Sequence, residues 1–323
     1  MNDKAFGRTR RAFLGSVAAA SSLAATVGLA AQRERRPFFA AHELPIGLQL
    51  YTLGEAPYKD LQGTLRTLAA IGYRTVETVG LMNTTAAELR QALDRAGLAC
   101  PSAHVPLQSD GTGPSLAGDT ARLAADLHRI GARYVVVPSL PVLPRMGEPR
   151  QGEDRPDFVG RAAREMTADD WRRAAAVLND KGAALKREGL ELAYHNHNVE
   201  FARHGSKTAY DLLIENADPD LVCFEMDVGW VAAAGVDPVP VLRAHRGRFR
   251  LMHVKDVKAS TVPSKAFQMD PANVGSGSLD WKAILPVAYD VGVRYYYVEQ
   301  EPPFTEPRMD AVRKDYNYLA RLV

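Results

Sequence analysis

The sequence predicts a single (β/α)8 barrel, the parallel eight-stranded TIM barrel of the α/β class, over residues 46–323. Three observations carry this expectation. Eight short, β-rich apolar runs alternate with stretches of helical periodicity. The alternation fills roughly 275 residues, close to the about 250 that eight strand–helix units occupy. No Gly-x-Gly-x-x-Gly turn follows the first run, as it should in an open doubly wound sheet; the chain there reads Gly47-Leu48-Gln49-Leu50-Tyr51-Thr52.

The eight runs lie at 46–51, 75–79, 99–105, 134–138, 191–197, 222–228, 250–255 and 295–299. Between them Leu61, Leu65, Leu68 and Ala69 mark one helix face, and Leu89, Leu93 and Leu98 another. A long amphipathic helix is expected over 171–188, with Leu178 and Leu185 on its apolar side. Two connections, 139–167 and 257–279, exceed ordinary loop length. Both fall where a strand gives way to a helix, the catalytic face of a barrel, and they are expected to act as lids.

Composition narrows the class. Of 323 residues, 46% are hydrophobic and 24% charged, which excludes a disordered or collagenous chain. Two cysteines, Cys100 and Cys223, cannot build a disulfide framework and read as buried thiols. The formal charge is +2, from 40 basic and 38 acidic residues. Residues 1–31 hold four basic residues and one acidic one, so the rest carries 36 − 37 = −1. A near-neutral body offers no electrostatic basis for binding nucleic acid.

The first 31 residues read as an export signal. Thr9-Arg10-Arg11-Ala12-Phe13-Leu14 precedes a weakly apolar run rich in Ala, Ser and Gly, ending Gly28-Leu29-Ala30-Ala31. The paired arginines before Phe-Leu resemble a twin-arginine address, which implies periplasmic localisation. The apolar run is shorter than the roughly 20 residues of a spanning helix, so no stable membrane insertion is expected after processing. Residues 32–45 read as a linker to the barrel domain, 46–323.

Ionisable residues cluster at the ends of the last four strands, in YHNHNVEF, FEMDVGW, HVKD and VEQE. One inward residue from each gives His195, Asp227, His253 and Glu299. Two imidazoles and two carboxylates form a mixed N/O shell for one divalent ion such as Mn²⁺, Co²⁺, Zn²⁺ or Fe²⁺. His197, on the same run as His195, is the alternative fifth-strand ligand. Lys255 follows His253 by two residues and shares its face, where it can hydrogen-bond a sugar oxygen.

These motifs resemble the xylose isomerase-like barrel superfamily of sugar isomerases and epimerases, from about Ile46 to Val323. The resemblance implies a metal-dependent enzyme and places Gln49, Tyr51, Glu77, His104, His197 and Trp230 around its substrate. Glu299, Glu77, His104 and Lys255 are the expected catalytic residues; Gln49, Tyr51, His197 and Trp230 are the expected substrate contacts. Many relatives carry a ligand glutamate where this chain has His195. Of the two ligand glutamates that relatives use as an acid/base pair, Glu299 alone remains.

The expected activity is isomerisation or epimerisation of a non-phosphorylated sugar or keto-sugar through an enediolate, without phosphate-binding residues. Elimination by a dehydratase or lyase, on a keto-sugar or 3-keto-glycoside, is the alternative that the altered fifth strand favours. An endonuclease IV-like cluster would need a histidine where Trp230 stands, and an Asp-x-His that HVKD does not supply. A non-catalytic periplasmic sugar-binding protein is a further alternative. The partner expected is a small sugar, and a homo-oligomer is compatible with the sequence.

Overall fold

The structure, a computed structural model, describes residues 36–323 apart from 110, 112 and 140–149. The proposed export signal lies outside the described residues.

Eight parallel strands close into a barrel: β1 (Ile46–Gln49), β2 (Thr75–Val79), β3 (Ala99–His104), β4 (Tyr134–Val137), β5 (Glu191–His195), β6 (Val222–Asp227), β7 (Phe249–Val254) and β8 (Tyr295–Val298). Each pairs with its neighbours in sequence, and β8 returns to β1 through Ile46↔Tyr296 and Leu48↔Val298. The sequence-derived strands fall on these eight with ends shifted by one or two residues. The first and fifth each end two residues early, the first because Leu50–Leu53 turns into a 3-10 helix capped by the Gln49 side chain.

Helices cover the outside because each presents an apolar stripe to the sheet. Helix α1 (Ala86–Ala96) starts in a Thr85/Glu88 capping box and stops at Gly97. It buries Leu89, Ala92 and Leu93. Helix α2 (Ala168–Arg187) starts in a Thr167/Asp170 capping box and buries Trp171, Ala174, Ala175, Leu178 and Leu185. Inside the barrel, Tyr134, Val136, Ala193, Cys223, Leu251 and Tyr297 form a separate apolar cluster, a floor beneath the catalytic end. Both cysteines are buried and unbridged.

Two connections differ from expectation. Within the expected linker, Phe38–Ala41 forms a helical turn whose Phe38 and Phe39 are buried; the Phe38 N–H donates to the Leu322 carbonyl at 2.7 Å. Two adjacent aromatics gain more from burial than a solvated tether would leave them. The 139–167 connection contains a helix over Arg155–Glu165, capped by Asp154; its segment 140–149 lies outside the described residues.

The 257–279 connection is described throughout. It opens with an antiparallel pair of two-residue strands, Asp256–Val257 and Pro271–Ala272. Asp256 is its anchor. Its Oδ1 accepts from the Val257 N–H at 2.9 Å and the Leu279 N–H at 3.2 Å; its Oδ2 accepts from the Gly275 N–H at 3.0 Å and Trp281 Nε1 at 2.9 Å. Gly277 passes so close that a Cβ there would lie 2.1 Å from Asp256 Oδ1.

Candidate metal centre and active site

The alternation of a strand builds the site. Ala193, Cys223, Leu251 and Tyr297 point into the barrel floor, so the residues two further on point into its catalytic end: His195, Glu225, His253 and Glu299. One more step of two adds Asp227, Lys255 and Glu301. All but Glu301 are buried, none more than 5% exposed.

One donor atom from each of His195, Asp227, His253 and Glu299 lies within 4.8 Å of the other three. His195 Nε2 and His253 Nδ1 each stand 3.7 Å from Asp227 Oδ2, and His253 Nδ1 is 2.7 Å from Glu299 Oε2. The opposite ring nitrogens are held from behind. Glu225 Oε2 lies 3.0 Å from His195 Nδ1, and Glu77 Oε2 lies 2.8 Å from His253 Nε2. An imidazole whose far nitrogen is fixed by a carboxylate is the arrangement that metal-ligating histidines adopt. Asp227 Oδ1 accepts from the Trp230 N–H at 2.9 Å, while its buried Oδ2 faces Lys255 Nζ at 2.8 Å. The donor set and the backed imidazoles fit a divalent ion of the N/O class.

Each motif divides its labour. In His195-Asn196-His197-Asn198, His195 joins the cluster. Asn196 clamps the β6 backbone, accepting from the Asp227 N–H at 3.1 Å and donating to the Asp227 carbonyl at 3.3 Å. His197 turns away to Trp230 and Phe267, with ring centroids 5.3 and 4.7 Å apart, so it is His195 that faces the other donors. Asn198 fastens the long loop, donating to the Ser264 carbonyl at 2.9 Å and the Gln268 carbonyl at 3.1 Å.

Lys255 is fully buried, and its Nζ lies 2.8 Å from Asp227 Oδ2, 2.7 Å from Glu299 Oε2 and 3.1 Å from Glu301 Oε1. Trp230 covers it, with Nζ 5.3 Å from the ring centre. Gly229 admits the stem, since a Cβ there would lie 2.6 Å from Lys255 Cγ. Burial works against the ammonium, yet the three carboxylates outweigh it and raise its pKa well above the ordinary range. Burial likewise opposes the Glu299 carboxylate, but Lys255 and His253 hold its pKa well below normal. For His195, burial and the neighbouring His253 lower the pKa well below normal, leaving a neutral imidazole.

Beneath this layer, His104 Nε2 lies 2.9 Å from Glu77 Oε2 and 3.2 Å from Glu225 Oε2. Burial opposes the imidazolium, and the two carboxylates raise its pKa to about 9. Burial and the Glu77 charge push the Glu225 carboxyl up to about 7. Glu77 is fully buried among His104, His253 and Gln49, whose Nε2 donates to it at 2.9 Å. Glu77 thus backs the histidines, and Gln49 bonds both Glu77 and the Tyr51 N–H. Tyr51 is 45% exposed at the mouth, where burial and then Glu301 push its hydroxyl up to about 12.

Glu225 and Glu301 were not singled out from the sequence. The signal was the i, i+2 spacing: Glu225 precedes Asp227 by two residues, and Glu301 follows Glu299 by two.

Residues 65–322 match the family model described as the xylose isomerase-like TIM barrel. The inosose dehydratase of Clostridium perfringens is 26% identical over 201 residues, 58% of this chain and 64% of that protein. The inosose dehydratase of Salmonella typhimurium is 29% identical over 169 residues, 48% of this chain and 54% of that protein. The chain thus spans between about half and two thirds of the length of these relatives. A solved sugar phosphate isomerase/epimerase from Parabacteroides distasonis superposes with a TM-score of 0.67 and 26% identity, covering 86% of this chain and 94% of that one. This chain belongs to the xylose isomerase-like TIM barrel family.

Proposed function

We propose that the protein is a metal-dependent dehydratase or lyase acting on a non-phosphorylated keto-sugar. The observation that carries this reading is the buried Lys255 ammonium, 2.7 Å from Glu299 Oε2 and 2.8 Å from Asp227 Oδ2. It sets one acid and one base side by side at the metal cluster. Elimination needs one group to take the α-proton and one to protonate the departing oxygen. Epimerisation needs groups on both faces of the carbon, and the second glutamate that relatives carry is His195 here. The 26–29% identity to inosose dehydratases supports the same reading.

A divalent ion held by His195, Asp227, His253 and Glu299 would polarise the ketone and acidify the adjacent C–H. Glu299, kept ionised by Lys255 and His253, takes the α-proton. The C–H electron pair becomes the new C=C bond as the β C–O bond breaks. Lys255 gives the proton that carries the oxygen away as water, and Glu301 holds the ammonium in place. Trp230 and Phe267, 5.1 Å apart by ring centres, wall the site against solvent. Isomerisation or epimerisation is the second reading, favoured by the likeness to the Parabacteroides structure. Export by the twin-arginine route, proposed from Arg10 and Arg11, would put the reaction in the periplasm.

The test is turnover of a panel of keto-sugars in D₂O by metal-loaded protein. Lys255→Met should leave α-proton exchange measurable while slowing product formation by about 10²–10⁴-fold. Wild-type exchange with no loss of water from any keto-sugar would replace elimination by isomerisation. Elimination by Lys255→Met at the wild-type rate would remove Lys255 as the acid.

A further inference from the structure

We infer that the substrate carries a second, uncharged sugar ring, held in a cleft between the β1, β2 and β3 loops. This rests on the carbohydrate reading above and narrows its substrate class. The cleft measures about 530 Å³ and begins at His104, whose Nε2 touches both Glu77 and Glu225 of the site. That volume lies within the roughly 300–1,000 Å³ of sites that enclose a whole small ligand. It is additional to the space among Lys255, Glu299 and Trp230, which do not line it. A single hexose engaged at the metal cluster would leave it unused.

The chemistry of the cleft selects the occupant. Its twelve lining residues include no lysine or arginine, and the one carboxylate among them is Glu55. A phosphate or carboxylate would meet no unpaired cation there, because the His104 imidazolium at the inner end is already held by Glu77 and Glu225. Tyr58, 41% exposed, offers an aromatic face against which the C–H face of a pyranose can pack. Glu55, Asn83 and Thr84 supply acceptors and donors for ring hydroxyls. Leu81 and Met82 supply apolar wall.

The wall is also held under strain. Gly80, Met82 and Asn83 have φ of 53°, 55° and 55°. Glycine and asparagine tolerate this region; methionine seldom adopts it. The buried Met82 is kept there by packing, with its Sδ 3.4 Å from the Val79 N–H, and this turn presents Asn83 to the cleft. Strain of this kind concentrates where a protein fixes a ligand-binding surface.

The experiment is calorimetric titration of the metal-loaded protein with methyl glucoside, gluco-disaccharides and glucose 6-phosphate. In parallel, kcat/KM is measured for the 3-keto forms of the methyl glucoside and of the disaccharides. At least one disaccharide is expected to bind about tenfold or more tightly than methyl glucoside, with a matching preference in kcat/KM. Tyr58→Ala should reduce that ratio to within about threefold of unity, and Tyr58→Phe, which keeps the ring, should restore it. Equal affinity for all sugars, tighter binding of the phosphate, or a preference that Tyr58→Ala leaves intact would overturn the inference. Absence of turnover with every sugar would refute the enzymatic reading, while the binding ratios would still decide the occupant of the cleft.

Discussion

Replacing Glu225 by Gln should weaken metal binding without unfolding the barrel. Glu225 Oε2 stands 3.0 Å from His195 Nδ1 and 3.2 Å from both His253 Nε2 and His104 Nε2. The amide keeps the size and one acceptor oxygen. It loses the charge that fixes His195 with its Nε2 toward Asp227, and it brings an N–H₂ that repels an imidazole N–H. His253 suffers less, because Glu77 holds its Nε2 at 2.8 Å. Loss of a carboxylate behind a metal-ligating histidine typically costs 10–100-fold in affinity, or about 1.4–2.8 kcal/mol. The cost to folding is small, since burial already pushes the Glu225 carboxyl up to about 7 and a neutral group fits there. Calorimetric titration with Zn²⁺ and Mn²⁺ measures the affinity, and thermal unfolding of the metal-free protein checks the fold. Glu77→Gln in the same background should add a further loss through His253. Affinity within twofold of wild type in a folded Glu225→Gln protein would show that Glu225 does not orient a ligand.

Three further outcomes are expected. Asp256→Ala leaves four donors without their acceptor and should destabilise the protein by about 3–5 kcal/mol, with faster amide exchange confined first to 257–279; unchanged exchange there would show that the loop holds itself. Burial raises the Asp315 carboxyl to about 7, so the unfolded chain ionises first and the native state loses stability as pH rises from about 4 to about 7. Asp315→Asn keeps an acceptor for the Val274 N–H and should remove a loss on the order of 2–4 kcal/mol, seen as a flatter dependence of unfolding free energy on pH over that interval; an unchanged slope would discount Asp315. Changing Arg10 and Arg11 together to Lys should leave uncleaved protein in the cytoplasm on fractionation, and undiminished export would reject the twin-arginine address.

The sequence by itself determined the barrel, because strand and helix differ in hydrophobic period and eight alternations leave few ways to bury both faces of a parallel sheet. It also showed which strand ends gather the ionisable residues. His195, Asp227, His253 and Glu299 stand at the ends of successive strands, and strand order in a barrel brings such residues to one rim. Local reading stopped where roles depend on residues far apart in the chain. Glu77 looked catalytic because it ends a strand, yet closure of β2 against β1 and β3 buries it under Gln49, His104 and His253. His195 and His197 have the same chemistry two residues apart, and β5 ending at His195 turns His197 toward Trp230 and Phe267. Glu225 and Glu301 carried only the period-two signal. Their importance comes from partners 30 and 46 residues away, His195 and Lys255, and such cross-strand distances are fixed by the register and shear of the closed barrel, which no local stretch of sequence encodes.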